Sequence, residues 1–179
     1  LHNTGGNLNS TQWDLATRMI RNSDNQAAKN ILDWYLGGDY GLQALFNDLG
    51  MTNTKAAYHW GYIRTTPEDQ LKLLNQIFLV PNSSYLNEQS RQIIRNLMGS
   101  VNLSQAWGIS AGSSQYYLKN GWNYEVNKYG QWYVNSIGFI PGSDNDGYTI
   151  AVYTYSSPDV PSGATLIEQY ARATRNNMF

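Results

Sequence analysis

The spacing of apolar residues changes near the middle of the chain, and this change limits the folds available to it. From residue 11 to about residue 98 the apolar residues recur at helical spacing, whereas residues 107–156 contain aromatic and β-branched runs broken by Gly and Asn. The sequence therefore predicts an α+β fold in which a helical block precedes an antiparallel sheet. A final helical stripe at residues 165–175 is predicted to cover that sheet.

Local signals refine this outline. Of the five helical stripes in the first half, the second is predicted to end at Gly37-Gly38, and Thr66-Pro67 has the pattern of an N-cap followed by proline at the first helical position. Three strands are predicted at residues 115–122, 131–140 and 148–156. We expect one domain over residues 1–179, with a helical lobe at about 11–100 and the sheet and final helix at about 105–179.

Composition excludes several classes of protein. The 12 Lys and Arg residues against 13 Asp and Glu residues leave a net charge of -1, which lacks the basic excess of nucleic-acid-binding proteins. The chain has no cysteine and two histidines, so we expect no disulfide, no metal site and no cofactor. No apolar stretch approaches the roughly 20 residues of a membrane span.

The third predicted strand needs a neighbour. Residues 148–155 are apolar at alternate positions and carry few charges that would protect an exposed edge. We expect the strand from Tyr148 to Tyr155 to pair with a segment that lies outside the 179 residues. The alternative is a dimer in which this edge pairs with a second copy of the chain.

Ser23-Asp24-Asn25 lies between two helical stripes, where main-chain amides lack helical partners. One interpretation is a capping box with Ser23 as N-cap and Gln26 at the third helical position. The other interpretation is a catalytic junction. A second Ser-Asp-Asn at residues 143–145 lies between turn-forming residues and is predicted to be a turn only.

Lys119-Asn120-Gly121-Trp122 is predicted to end a strand. A lysine and a glycine-flattened strand edge at this place would suit an anionic or amide-bearing ligand. The alternative is an exposed lysine at the end of a hairpin. The combination with Ser-Asp-Asn on a helical block favours an active site over either of the two structural interpretations.

With both motifs in place, the sequence resembles the class A serine β-lactamases and their penicillin-binding relatives. The resemblance extends to the helix junction at residues 17–32, the next helix at 42–51, Thr65-Thr66-Pro67, and residues 107–112 before the Lys-Asn-Gly strand. It covers nearly the whole chain. It implies a β-lactamase-like fold and a serine hydrolase that forms an acyl-enzyme with a cell-wall peptide, amide or ester.

The resemblance also implies roles for individual residues. Ser23 would relay a proton to the leaving nitrogen, Asn25 would orient the substrate amide, and Lys119 would place positive charge near the substrate carboxylate. Asp24 would brace the loop.

The same resemblance makes the strand a substrate-binding element, with contacts from Asn120, Gly121 and Trp122 and an oxyanion-hole amide from its main chain. Asn120 stands where the family usually has Thr or Ser. A hydroxyl that normally helps to bind a carboxylate is therefore absent, and we expect weaker binding of β-lactams.

Two departures from the family pattern affect catalysis. No Ser of this chain has Lys three residues later, so the resemblance implies that the nucleophile belongs to a missing N-terminal segment and that this chain alone is inactive. Residues 52–64 contain no acidic residue that could activate a deacylating water. His59 is expected to be a packed loop residue rather than a substitute base. Glu68 and Asp69 are expected to be first-turn charges of a helix.

Alternatives to the enzyme remain open. The chain could be a non-catalytic cell-surface binding module with a degenerate groove, or an unrelated α+β domain that uses His59 and an acid. Fourteen Tyr and six Trp suggest carbohydrate stacking, although most of these rings are expected to pack in the core and the sheet. The expected ligand is a peptidoglycan-derived or β-lactam-like small molecule, and the expected location is extracellular or in the cell envelope.

Overall fold

A computed structural model of the protein describes residues 1–125, 130–143 and 146–178. It divides the chain into two compact units, Leu1–Leu97 and Met98–Phe179. The single domain expected from the sequence stays a prediction. None of the described helices is long and apolar enough to cross a membrane.

Five helices account for most of the first unit: α1 (Ser10–Arg21), α2 (Asn25–Tyr35), α3 (Leu42–Asp48), α4 (Pro67–Phe78) and α5 (Glu88–Met98). Each corresponds to one of the predicted apolar stripes. Each stripe contributes at least one buried apolar residue, and these residues include Leu15, Ala27, Leu32, Phe46, Leu74, Ile77 and Ile93. Burial of one face of each amphipathic helix provides most of the stability of such short helices.

The helix ends follow the predicted signals. The Thr66 hydroxyl accepts the Asp69 N–H at 3.2 Å, and Pro67 is the first residue of α4. Gly37 has φ 78°, and the Gly38 N–H donates to the Leu32 carbonyl at 2.8 Å after the end of α2. The predicted N-cap and the predicted glycine stop are therefore confirmed.

The second unit contains an antiparallel sheet and one long helix. The strands β1 (Tyr117–Glu125), β2 (Gln131–Pro141) and β3 (Gly147–Ser157) lie in the order β1-β2-β3. The helix α6 (Val160–Met178) packs against β2 and β3. The α+β class and the sheet covered by a C-terminal helix are confirmed.

Two boundaries differ from the prediction. β1 continues to Glu125 because its last residues pair with the start of β2, so Lys119-Asn120-Gly121 lies in the middle of the strand rather than at its end. α6 begins at Val160, five residues before the predicted start, because Pro161 occupies the first turn, where a missing N–H costs nothing. Of the repeated Ser-Asp-Asn, residues 144 and 145 lie outside the described residues.

Close approach of α6 to the sheet depends on Gly163. A Cβ atom on this residue would lie 2.5 Å from Val134 Cγ2, closer than any real contact. The absence of a side chain lets the helix settle on a core of Ile109, Leu118, Val134, Ile140, Ile150, Ile167 and Ala171. β1 and β3 are the edges of the described sheet, and the expected pairing of β3 with a further strand stays a prediction.

Candidate active-site elements

The junction between α1 and α2 is built around Asp24. Its Oδ1 accepts the Ala27 N–H at 3.0 Å, and its Oδ2 accepts a hydrogen bond from Arg18 at 2.8 Å. The Ala27 N–H and the Arg18 guanidinium hold the pKa of Asp24 below its ordinary value. The capping box with Ser23 as N-cap is therefore wrong, because Asp24 is the cap, and the expected bracing role of Asp24 is confirmed.

Ser23 adopts the left-handed helical conformation, with φ 57°. For a residue with a Cβ atom this conformation costs about 1–2 kcal/mol. Ser23 follows the last turn of α1 and directly precedes Asp24, the cap of α2. Asn25 is the first residue of α2 and is exposed. Residues held in such sparsely populated conformations cluster at functional sites, so the geometry supports a functional hypothesis for Ser23.

The Lys-Asn-Gly motif places its side chains on both faces of β1. Leu118 and Asn120 are buried on the face that carries the hydrophobic core, and by strand alternation Lys119 and Gly121 lie on the opposite face. The Lys119 ammonium donates to the Asn120 carbonyl at 2.6 Å. Burial lowers the pKa of Lys119 from 10.5 to about 8, because desolvation disfavours the charged form.

Asn120 holds a preceding segment against the sheet. Its amide nitrogen donates to the Gln105 carbonyl at 2.8 Å and to the Trp107 carbonyl at 3.0 Å. Ser136, the β2 partner of Asn120, accepts the Ile109 N–H at 3.1 Å. These contacts are structural, and a substrate contact by the Asn120 side chain stays a prediction.

Gly121 and Trp122 leave this part of β1 open. A Cβ atom on Gly121 would meet nothing within 4 Å, and β1 is an edge of the described sheet. Trp122 is exposed, with its ring centroid 5.9 Å from that of Trp107. An edge strand beside open space is suited to pairing with an extended peptide-like ligand.

Asp69 has a larger part than its position in a helical first turn suggested. The side chain is buried and accepts hydrogen bonds from the Asn53 N–H, the Thr54 hydroxyl and the Lys72 ammonium, each at 2.8 Å. Burial alone would raise the pKa of Asp69, but these donors outweigh it and hold the pKa below its ordinary value. The prediction of a first-turn charge is therefore correct for Glu68, which is exposed. The same prediction is incomplete for Asp69, whose side chain is buried. The sequence did contain one signal for the burial of Asp69, because Asp69 stands eight residues before Ile77, a helical spacing that favours the same buried side of α4.

His59 is held in the loop that precedes α4. Its Nδ1 accepts the Gly61 N–H at 3.0 Å, and its ring stacks on Trp60 with centroids 3.8 Å apart. The expectation of a packed, hydrogen-bonded loop residue is confirmed. Among the described residues, no group of three or more His, Asp and Glu side chains is arranged to hold a metal ion.

The two sequence motifs belong to different units of the structure. Ser23, Asp24 and Asn25 lie together in the first unit, and Lys119, Asn120, Gly121 and Trp122 lie together in the second. A common active site formed from the two motifs stays a prediction, as do the catalytic and substrate-binding roles that the resemblance implies for their residues.

Comparison with protein families gives a match over almost the whole chain. The model of the beta-lactamase enzyme family matches residues 1–178. No curated protein gives a match.

Several solved structures share the fold. A mutant of PBP-A, solved as an acyl-enzyme complex with penicillin G, is 24% identical with a TM-score of 0.75, over 93% of this chain and 61% of that chain. The TLA-1 extended-spectrum β-lactamase is 19% identical with a TM-score of 0.77, over 92% and 63%. A class A β-lactamase from Bacteroides cellulosilyticus is 20% identical with a TM-score of 0.74, over 92% and 64%. The chain thus spans less than two thirds of the length of these proteins.

Proposed function

We propose, from the premise that the chain belongs to the beta-lactamase enzyme family, that it is part of a serine hydrolase acting through an acyl-enzyme. The substrate would be a cell-wall peptide, amide or ester, and the site of action the cell envelope. The nucleophilic serine, in a Ser-x-x-Lys pattern that these 179 residues lack, would come from a segment outside them.

The conformation of Ser23 is the observation that carries this proposal. A serine at φ 57° costs stability, and the neighbouring Asp24 fixes it there through a helix cap and an ion pair. In the proposed reaction on a peptide or amide, the nucleophilic serine gives its proton to the lysine of the Ser-x-x-Lys pattern as it attacks the carbonyl carbon. The bond to the leaving nitrogen then breaks, and the Ser23 hydroxyl passes its proton to that nitrogen while it takes up the proton held by the lysine.

The second motif would bind the substrate. The Lys119 ammonium, with a pKa of about 8, is charged at neutral pH and would attract a carboxylate. As an edge of the described sheet, β1 would pair at Gly121 with the extended acyl chain, and the family's oxyanion-hole amide would come from the same strand. The PBP-A mutant was solved as an acyl-enzyme complex with penicillin G, which supports a ligand of the same chemical class.

A non-catalytic binding module is the second candidate. Residues 52–64 offer no carboxylate as a deacylating base, and His59 already accepts the Gly61 N–H and stacks on Trp60. These features favour slow hydrolysis of an acyl-enzyme, or a groove that binds peptides without cleaving them.

Labelling with a fluorescent penicillin tests the enzyme proposal on the product of the complete reading frame. We expect the wild type and the exposed-serine control Ser104→Ala to gain the mass of the acyl group. Ser23→Ala and Lys119→Ala are expected to label at least about 100-fold more slowly, since each removes a group that acts in the transition state.

Two results would decide against this proposal. If nothing becomes labelled and the ligand binds reversibly, the binding module replaces the enzyme. If Ser23→Ala labels as fast as the wild type, Ser23 does not relay the proton.

A further inference from the structure

The loop that precedes α4 concentrates aromatic and cationic side chains. We call residues 55–64 the aromatic loop. Its rings belong to Tyr58, His59, Trp60 and Tyr62, and its cations are Lys55 and Arg64. Residues 52–64 contain no Asp or Glu, so the loop is locally positive in a chain whose net charge is -1.

The two cations lie directly opposite each other. Lys55 and Arg64 form an isolated antiparallel bridge in which the Lys55 N–H donates to the Arg64 carbonyl at 3.1 Å. Side chains of directly opposed residues project to the same side, and like charges in such pairs destabilise the pairing. Both residues are exposed, so an external anion could bind between them.

Other cations of the first unit have internal partners. Carboxylates lie 2.7–3.2 Å from five basic side chains, namely Arg18, Lys29, Lys72, Arg91 and Arg95. Within the described part of the chain, no carboxylate oxygen lies within 4.0 Å of the Lys55 ammonium or the Arg64 guanidinium, so neither forms an ion pair. This pair therefore differs from its neighbours in having its charge available to a ligand.

The aromatic rings of the loop are held in place although two of them are exposed. Tyr58 and Tyr62 are 70% and 56% exposed, and their ring centroids lie 5.1 Å apart at an interplanar angle of 30°. His59, fixed by the Gly61 N–H and by Trp60, contacts Tyr62 edge-on at 5.7 Å. Rings that already contact each other lose less conformational entropy on binding than separate exposed rings would, which favours their use as a contact surface.

We propose that the aromatic loop binds an anionic polysaccharide. Sugar rings would stack on Tyr58 and Tyr62 through their apolar faces, and sugar carboxylates would bind between Lys55 and Arg64. The exposed rings of the loop are both tyrosines, while Trp60 and Ile63 are partly buried. Amphipathic membrane anchors insert Trp, Phe or Leu, whereas each exposed ring of this loop carries a hydroxyl that can hydrogen-bond to a sugar, and this favours a hydroxyl-rich ligand over a lipid surface. The inference does not depend on acyl-enzyme chemistry.

Binding of polygalacturonate to the chain tests the proposal, with neutral galactan of similar length as the comparison. We expect the wild type to bind polygalacturonate at least about 10-fold more tightly than galactan, with affinity that falls as salt rises. Lys55→Gln/Arg64→Gln is expected to lose about 10-fold in affinity at low salt. Tyr58→Ala/Tyr62→Ala is expected to lose a similar factor that persists at high salt, because stacking is not screened.

A matched control is available on α6, where Tyr170 is 58% exposed and the Arg172 side chain 55% exposed. Tyr170→Ala/Arg172→Gln should bind as the wild type does. Thermal unfolding shows whether each loop variant is folded. The proposal is overturned if either folded loop variant keeps wild-type affinity, or if the α6 variant loses as much affinity as the loop variants do. It is also overturned if the wild type prefers phosphatidylglycerol vesicles to polygalacturonate. Should the tyrosine variant fail to fold, the Lys55→Gln/Arg64→Gln variant decides alone.

Discussion

The Arg18 guanidinium donates to the Asp24 carboxylate at 2.8 Å, and it also pairs with Asp14 at 3.0 Å. Since the same Asp24 carboxylate caps α2, one acidic residue connects the last turn of α1 to the first turn of α2. Ser23 lies between these two anchored ends at φ 57°. Its conformation is thus imposed by its neighbours rather than by its own preference.

The first prediction separates the backbone of Ser23 from its hydroxyl. Ser23→Gly and Ser23→Ala both remove the hydroxyl, but only glycine adopts φ 57° without strain. We expect Ser23→Gly to be more stable than Ser23→Ala by about 1 kcal/mol in urea unfolding. Equal stability of the two variants would show that the left-handed conformation carries no strain.

The second prediction compares two adjacent acids of α4. Asp69→Ala should destabilise the chain by about 3 kcal/mol, because three donors to a buried carboxylate lose their acceptor. Glu68→Ala, at the exposed neighbouring position, should change stability by less than about 0.5 kcal/mol. Urea unfolding at neutral pH measures both, and similar losses for the two variants would contradict the role assigned to Asp69.

The depressed pKa of Asp69 also fixes the sign of a pH effect. The stability contributed by its ionised form is complete above the ordinary carboxyl pKa of 3.8 and is lost as pH falls through the lower value in the folded protein. The difference between the wild type and Asp69→Ala should therefore shrink only below about pH 4.

The third prediction concerns the segment held by Asn120. Asn120→Ala removes both donors to the carbonyls of Gln105 and Trp107, which should cost about 2 kcal/mol and speed hydrogen exchange of the Ile109 amide. Gly121→Ala is the control, because its new methyl group enters open space, and it should stay within about 0.5 kcal/mol of the wild type. Unchanged exchange at Ile109 in Asn120→Ala would show that the segment is held by other contacts.

The fourth prediction follows from the lowered pKa of Lys119. Between pH 8 and 10.5 the unfolded chain binds more protons at this residue than the folded chain, so stability should rise with pH across that window. Below pH 8 the buried ammonium is a cost to folding. Lys119→Met should therefore raise Tm by about 3 °C at pH 7, and the gain should diminish as pH approaches 10.5. A gain that is constant with pH would mean that the charge of Lys119 is not responsible.

The order of helices and strands could be predicted because each depends on the spacing of residues close in sequence. The apolar stripes, Thr66-Pro67 and Gly37-Gly38 are all local signals that act within one turn of helix. The end of β1 was harder to predict, because it depends on pairing with residues of β2 rather than on the sequence of β1 itself. The start of α6 lies five residues before the predicted stripe, because the first turn contains Pro161 and presents no clear apolar repeat.

The candidate site was harder to predict because its side chains use contacts that are distant in sequence. Ser and Asp are both favourable N-cap residues, so the sequence alone does not decide which of Ser23 and Asp24 caps α2. In the structure the cap is Asp24, which also forms an ion pair with Arg18. The burial of Asp69 depends on Asn53 and Thr54, which are donors in a loop. The fixation of Asn120 depends on carbonyls 13 and 15 residues earlier. No pattern of neighbouring residues encodes these partners.

The two hydrogen bonds of Asn120 also bear on the evolution of this strand. A protein that replaced this residue by the threonine usual in the family would lose the amide donors that hold Gln105 and Trp107. Thr and Asn are therefore not freely exchangeable here, and a change of ligand preference at this position would require compensating changes in residues 105–109. Ancestral sequences along such a route should show those changes before or together with the substitution itself.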